Sequence, residues 1–359
     1  MRETQFRPDY AVPPGETLLE ALEDRGMTQV ELASRMSRPT KTVSEIIKGK
    51  AALTAETSLQ LEAVLGIPAG FWLNREARFR EALARRARLS DLEAEVGRLP
   101  EFPYGPLAKL GFVQATRSPE EKVAHLRSFF GVDSLANLAS VYAPALRVAR
   151  TRQPSTGALM AWLRTGELSA QKLSVPEFNA PHLRKAIEPL RALTLLEPEP
   201  ASDRLREILA ECGVRLVYVP HLPQTYAHGA TWWRFDGPVL QLSDRGSFED
   251  IFWFSLFHEI GHLLCGHSRK AILIAWDEDG DRDDLEREAD LFAANALIRP
   301  NDYARFLQRH IFSEAAVRAF AAGIRVCPGI VAGRLQHDDL LPHTHLNGLR
   351  RKLMIRTED

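Results

Sequence analysis

The sequence has little cysteine and almost no net charge, and each shortage excludes a class of protein. Its 359 residues include three cysteines, Cys212, Cys265 and Cys327, which are widely spaced and form no CxxC pair. Neither a disulfide framework nor a structural zinc knuckle is indicated, and a reducing, cytoplasmic location fits best. The formal net charge is -1, from 46 lysines and arginines against 47 aspartates and glutamates. Any DNA contact must therefore come from a local basic patch.

The sequence also lacks a long uninterrupted apolar run. The most apolar stretch, residues 251–265, contains His258, Glu259 and His262, and the first ten residues hold no apolar signal core. We therefore predict that the chain does not cross a membrane. Hydrophobic residues make up 45% of the chain and charged residues 26%, which is the balance of a globular protein and not of a disordered one.

Composition changes along the chain and predicts three domains. We place them at residues 1–89, an all-α bundle; 90–199, a helical middle; and 200–359, an α+β domain with a small sheet. The boundaries fall in the arginine-rich segment Arg85–Arg88 and in the proline-rich segment Glu197–Pro200, whose compositions favour exposed linkers. Outside the bundle, the clearest candidate helices lie near residues 119–130, 156–164 and 181–195, and the candidate strands are residues 214–219, 230–234 and 239–242.

Two short helices joined by a tight turn are predicted near the N-terminus. Thr28 is followed three residues later by Glu31, a capping box that opens the first helix. Thr40 is predicted to cap the second helix, and Gly49 to end it in a left-handed conformation. The inward face of the second helix carries Val43 and two isoleucines, which the flanking helices are spaced to cover.

The outward face of this helix pair is polar and cationic, as a helix that enters the major groove of DNA requires. The alternative is a small dimerisation bundle whose outward charges are simply solvated. We expect Arg38, Lys50 and the helix-start N–H groups to meet phosphates. The full set of predicted DNA-binding residues is Gln29, Arg38, Thr40, Lys41, Thr42, Ser44, Glu45, Lys48 and Lys50.

Residues 10–80 resemble the phage-repressor-like helix-turn-helix domains, and the string from Ser37 to Lys50 is similar to the HigA antitoxin subgroup. The resemblance includes Gly66-Ile67-Pro68 followed by Phe71-Trp72-Leu73. It implies a homodimer that binds operator DNA.

The second motif is His258-Glu259-Ile260-Gly261-His262, an HExxH sequence inside an apolar helix. Its four-residue spacing places both imidazoles on one helical face, where they can share one metal ion. If these polar groups were buried without partners, they would lower the stability of the fold by several kcal/mol. Binding to a metal ion removes this cost. HExxH also occurs by chance, so core histidines satisfied by hydrogen bonds are the alternative.

A second amphipathic helix supplies further candidate ligands. Its period places Glu286 and Asp290 on one face, with small alanines between them that permit close helix approach. We predict Glu286 as the third zinc ligand and Asp290 as a hydrogen-bond acceptor from a ligand imidazole. Glu288 lies about 200° round the helix, away from the ion. The alternative is an ordinary surface helix with salt bridges.

Three protein ligands leave the fourth position of a tetrahedral zinc site for water, as in catalytic sites. Glu259 would take the proton of that water and pass it to the leaving amine in peptide hydrolysis. We predict that His337 stabilises the oxyanion, with His228 as the rival. An extended peptide substrate could pair with an edge strand, for which residues 230–233 are the candidate.

These segments resemble the ImmA/IrrE family of zinc peptidases, through the HExxH motif, residues 286–294 and Leu297-Ile298-Arg299-Pro300, over about residues 205–341. The resemblance implies zinc-dependent cleavage of a repressor under stress or damage, in some members fused to a helix-turn-helix. Many relatives carry a histidine soon after the second ligand. Here Gly266 is expected to end the helix and leave His267 in a solvated loop.

Three weaker signals remain. Cys265 falls on the ligand face and is either an extra ligand or, more often in such positions, a small buried filler. The acidic run 277–284 indicates a solvated loop, because its glycine is out of register for a calcium-binding EF-hand. Residues 313–323 and 328–337 form a second helix-turn-helix-like pair whose composition favours packing over DNA binding.

Together these patterns predict a multidomain cytoplasmic regulator, with operator DNA and a protein substrate, repressor or toxin as its partners. The leading hypothesis is a zinc endopeptidase that cleaves a repressor, an antitoxin or itself in a stress or toxin-antitoxin response. The alternative is an antitoxin or sensor whose zinc domain binds a peptide or protein without cleaving it.

Overall fold

A computed structural model describes residues 12–142, 155–234, 237–245, 248–267, 272–276 and 284–352. The chain divides into two compact units, Met1–Val96 and Gly97–Asp359. The division into three domains at residues 89 and 199 stays a prediction. The expected linker Arg85–Arg88 lies inside a continuous helix, Ala69–Glu95, because its arginines and alanines are good helix formers.

The N-terminal unit is a helical bundle. Thr28 Oγ1 accepts the backbone N–H of Glu31 at 3.1 Å, so the predicted capping interaction is confirmed. The prediction that Thr40 caps the second helix of the pair is wrong. Pro39 occupies the N-cap position with φ -60°, and Thr40 is the first residue of the helix. The helices are α1 (Pro14–Glu23), α2 (Gln29–Arg35), α3 (Thr40–Ile47), α4 (Ala55–Leu65) and α5 (Ala69–Glu95).

The core of this bundle is formed by residues that the sequence placed inward. Val43 is 1% exposed, and Trp72 of α5 is fully buried. Gly49 follows α3 with φ 67°, as its predicted left-handed position requires. The other buried residues of this core include Leu18, Leu22, Leu32, Ile46, Ile47, Leu61 and Leu65.

The C-terminal unit is also rich in helices, and the three candidate helices of the middle region are confirmed. Short 3-10 segments lie at Val96–Glu101, Leu135–Asn137, Leu193–Leu195 and Asn347–Leu349. The helices are α6 (Tyr104–Lys109), α7 (Pro119–Phe130), α8 (Leu138–Tyr142), α9 (Thr156–Ala170), α10 (Ala180–Ala192), α11 (Pro198–Glu211), α12 (Glu249–Cys265), α13 (Asp284–Leu297), α14 (Pro300–Leu307), α15 (Glu314–Ile324) and α16 (Pro328–His337).

The sheet of this unit has four described strands, in the order β1-β3-β2-β4. They are β1 (Arg215–Tyr218), β2 (Ala227–Arg234), β3 (Gly237–Leu242) and β4 (Leu273–Trp276). β1 and β3 run parallel, and β2 is antiparallel to both β3 and β4. This confirms the α+β fold. The prediction that residues 230–233 form an edge strand is wrong, because β2 lies between β3 and β4 in the sheet. The sequence did not reveal β4, which is too short to show a strand pattern.

α15 and α16 pack into the core of this unit, as their composition indicated. Val317, Ala321, Ile330 and Val331 are among the buried residues that join α12 there. Among the described residues, no single helix is both long and apolar enough to cross a membrane. α15 and α16 reach that length and composition only when taken together, and they are bent by 115°.

The start of α12 is fixed by the C-terminal segment of the chain. Asp250 pairs with Arg350 at 2.8 Å, and Glu249 pairs with Arg351 at 2.6 Å. Burial raises the pKa of Asp250, against the opposing effect of Arg350. These ion pairs connect residues about a hundred positions apart and hold the helix that carries the HExxH motif.

Candidate functional site

The HExxH motif occupies the last two turns of α12, whose surroundings are almost entirely protein. His258 is 4% exposed, and Glu259 and His262 are fully buried. The helix ends where Gly266 adopts φ 80°, which a residue with a side chain rarely does. Both imidazoles therefore lie inside the unit, on one face of a well-packed helix.

α13 brings Glu286 to this face. Glu286 Oε2 lies 3.1 Å from His258 Nε2, and Glu286 Oε1 lies 3.4 Å from His262 Nε2. The two Nε2 atoms are 3.0 Å apart. The close approach depends on Gly261, where a Cβ atom would meet the Ala289 backbone at 3.2 Å.

The donor atoms of these three side chains fit a tetrahedral zinc ion. Zinc–nitrogen and zinc–oxygen bonds of 2.0–2.2 Å at tetrahedral angles separate their ligand atoms by about 3.3–3.6 Å. The two nitrogens are 3.0 Å apart, and they lie 3.1 and 3.4 Å from different oxygens of Glu286. Small side-chain movements are therefore enough to close one atom of each side chain around one ion.

Asp290 lies one turn further along α13 and approaches the other side of the His258 ring. Its Oδ1 is 2.9 Å from His258 Nδ1. An imidazole that donates Nδ1–H to a carboxylate keeps a lone pair on Nε2, the atom that faces His262 and Glu286. The contact orients His258 as a metal ligand requires.

In the metal-free protein, the pKa values of the three candidate ligands show which of them holds a proton. Burial opposes charge on His258, but hydrogen bonds to Asp290 and Glu286 raise its pKa to about 10. Burial lowers the pKa of His262. Burial alone would raise the pKa of Glu286, yet hydrogen bonds from both histidines hold it far below its usual range. The proton therefore resides on His258, and a metal ion must displace it.

Glu259 is positioned by a strand contact that the sequence analysis missed. Gly229 of β2 lies directly against this side chain, and a Cβ atom there would be 2.8 Å from Glu259 Oε1. A glycine inside a strand is a known sign of close approach and was the available signal. The contact confines the Glu259 carboxylate to the side of α12 that faces the sheet.

The residues after the motif lie elsewhere than expected. The side chain of His267 is only 8% exposed, so the prediction that it lies in a solvated loop is wrong. Its Nδ1 lies 3.1 Å from His262 Nδ1, and its Nε2 lies 3.3 Å from Glu288 Oε2. Cys265 is exposed and not a buried filler, because it lies at the last turn of α12. Burial and a hydrogen bond to Glu288 raise its pKa to about 11.

The two candidate oxyanion histidines occupy different positions. His337 is 67% exposed and its Nδ1 lies 3.1 Å from Asp338 Oδ1. Its ring centroid is 6.4 Å from that of Phe254, which is in turn 6.4 Å from that of His258. His228 is a buried residue of β2. Residues 277–283 of the acidic run lie outside the described residues.

The second candidate site is the outward face of α2 and α3. Of the nine predicted DNA-binding residues, none is buried. Lys41 forms an ion pair with Glu45 at 3.8 Å, which partly neutralises the acidic residue on this face. Arg38 instead contacts α4, since it donates to Gln60 and pairs with Glu56 at 3.2 Å. Its guanidinium therefore joins the turn between α2 and α3 to α4.

Comparisons with known proteins match the two candidate sites to two different family models. Residues 18–72 match the helix-turn-helix family model, and residues 210–335 match the IrrE N-terminal-like domain, Peptidase M78. A stretch of 61 residues is 36% identical to the uncharacterized HTH-type transcriptional regulator YddM of Escherichia coli (strain K12). That match spans 17% of this chain and 65% of the relative, which is less than two thirds of its length.

Two solved structures align with short parts of the chain. An addiction module antidote protein of the HigA family from Coxiella burnetii is 31% identical, with 24% of this chain and 94% of that chain covered and a TM-score of 0.22. Antitoxin GraA is 28% identical, with coverages of 21% and 84% and a TM-score of 0.21. By the family models, the chain combines an N-terminal helix-turn-helix domain with a C-terminal peptidase-like domain of the IrrE N-terminal-like family.

Proposed function

We propose that this protein is an operator-binding regulator whose C-terminal domain is a zinc-dependent endopeptidase. The observation that carries the proposal is the convergence of three side chains from α12 and α13, whose donor atoms are separated by 3.0–3.4 Å. The buried Glu259 follows His258 directly in sequence, and its charge acts on the His258 ring. The match to a peptidase family model supports the reaction type.

Each residue has a defined role in this proposal. His258, His262 and Glu286 would hold the zinc ion, which when bound supplies Lewis acidity toward a carbonyl and lowers the pKa of water. Glu259 accepts a proton from the attacking water and delivers it to the nitrogen of the breaking C–N bond. Asp290 fixes the orientation of His258.

His337 would have to approach the oxyanion from the Phe254 side of the site. The Phe254 ring separates it from His258, so this role requires a side-chain movement or a substrate that extends past Phe254.

The proposed DNA interface is the exposed face of α3, with Gln29 at the start of α2. A homodimer would present two such faces to an operator. Lys41, Lys48 and Lys50 are exposed and supply the positive charge for phosphate contacts. The proposed substrate is a repressor or antitoxin protein, or the chain itself, in a stress response.

The test compares cleavage by wild type and Glu259→Gln, with Glu211→Gln on an exposed turn of α11 as a matched control. Each is incubated with the products of neighbouring genes, and fragments are identified by mass spectrometry. We expect cleavage by wild type and the control, and a loss of about 10²-fold or more in Glu259→Gln. Equal cleavage by Glu259→Gln would exclude it as the base.

Metal analysis of the same proteins tests the site itself. We expect about one zinc ion per chain in wild type and Glu259→Gln, and its loss in His258→Ala and Glu286→Ala. Zinc retained by both of the last two variants would refute the ligand assignment. A wild type that binds a partner tightly without cleaving it would favour the non-hydrolysing alternative.

A further inference from the structure

A second group of metal-ligating side chains lies beside the first. It consists of Cys265 at the end of α12, His267 after it, and Glu288 of α13. One ligand atom from each residue lies within 4.8 Å of the other two. None of these residues belongs to the trio of His258, His262 and Glu286, and the proposed peptidase reaction uses none of them.

The donor set of this second group is selective. A thiolate sulfur, an imidazole nitrogen and a carboxylate oxygen together suit zinc and similar thiophilic divalent cations, and not magnesium or calcium. His267 is held by its neighbours, with a side chain 8% exposed. Glu288 is 59% exposed and Cys265 is also exposed, so both are able to move toward a common ion.

We propose that Cys265, His267 and Glu288 form a second cation site, which takes zinc or another thiophilic divalent cation. On binding, Cys265 loses its thiol proton to solvent, and neutral His267 offers the lone pair of Nε2. Glu288 contributes a carboxylate oxygen, whose distance to His267 Nε2 is already 3.3 Å. Water completes the coordination, because the site opens to solvent.

The two groups of side chains are neighbours. His262 Nδ1 and His267 Nδ1 are 3.1 Å apart, so a residue of the first group contacts a residue of the second.

The second site does not depend on the proposed peptidase, because its three ligands are separate from those of the first site.

Cobalt titration of the full chain tests the second site directly. Cobalt(II) bound to a thiolate shows a charge-transfer band in the near ultraviolet, and the first site contains no sulfur. We expect this band in wild type, its loss in Cys265→Ser and its weakening in Glu288→Gln. It should persist in Cys212→Ala, the matched control, since that thiol belongs to neither group.

The outcomes separate this proposal from the peptidase. Absence of the band in wild type at saturating cobalt, or its persistence in Cys265→Ser, would overturn the second site. Glu286→Ala should keep the band, because Glu286 is not among the ligands of the second site. The band does not depend on cleavage, so a failed cleavage assay would count only against the proposed peptidase.

Discussion

Gly261 lies where α12 and α13 approach most closely, so Gly261→Ala should loosen the proposed zinc site. A Cβ atom at this position would lie 3.2 Å from the Ala289 Cα and from Phe292 Cδ1, and 3.3 Å from the Ala289 carbonyl oxygen. Comfortable carbon–carbon contacts begin near 3.5 Å, so α13 must move by a few tenths of an ångström. Glu286 and Asp290 are on α13 and move with it.

Two opposing effects set the size of the change. Alanine is favoured over glycine inside a helix by about 1 kcal/mol. Overpacking a tight contact costs about 1–3 kcal/mol. The expected net change in the free energy of unfolding of the metal-free protein is a loss of about 0–2 kcal/mol. Displaced ligands should also lower zinc affinity by about tenfold, which removes about 1.4 kcal/mol of the zinc-dependent stabilisation.

Denaturant unfolding with and without zinc, together with zinc competition by a chelator, measures both effects. The matched control is Gly323→Ala, an exposed helical glycine of α15 whose added Cβ meets nothing within 4 Å. The control should gain about 1 kcal/mol and leave zinc affinity unchanged. If Gly261→Ala gains as much as the control and binds zinc as wild type does, the reasoning about helix approach is refuted.

Three further predictions concern the two sites. Asp290→Asn should lower zinc affinity by about 10- to 100-fold in chelator competition, because the charged acceptor of His258 is lost; an unchanged affinity would exclude an orienting role. Since the pKa of His258 is raised to about 10, zinc binding near pH 7 should release about one proton, and affinity should rise about tenfold per pH unit as rising pH removes that proton. Calorimetry in buffers of different ionisation enthalpy measures the release, and a pH-independent affinity would contradict it. Lys41→Ala should weaken DNA binding in fluorescence anisotropy and reduce its salt slope by about one, whereas Arg38→Ala should instead lower the free energy of unfolding by about 1 kcal/mol through lost contacts to α4; the reverse pattern would place the phosphate contact at Arg38.

The sequence by itself determined the features that depend on local spacing. The Thr28 cap, the left-handed Gly49 and Gly266, and the period of α12 all follow from interactions within a few residues. The four-residue spacing of His258 and His262 fixed their common face, because the α-helix repeats every 3.6 residues. The roles of these residues in catalysis stay predictions.

Tertiary structure decided what depends on residues distant in sequence. β4 covers β2, Gly229 lies against Glu259, and Glu288 reaches His267 across the helix pair. The strand glycine marked a close approach without its partner, and no local pattern marks the other two contacts. The helical period predicts in which direction around the helix axis a side chain points. It does not fix the distance or rotation between two helices, which packing at Gly261 and Ala289 sets. For this reason the candidate ligands and the acceptor Asp290 could be predicted from sequence, while the contacts of Glu259 and His267 could not.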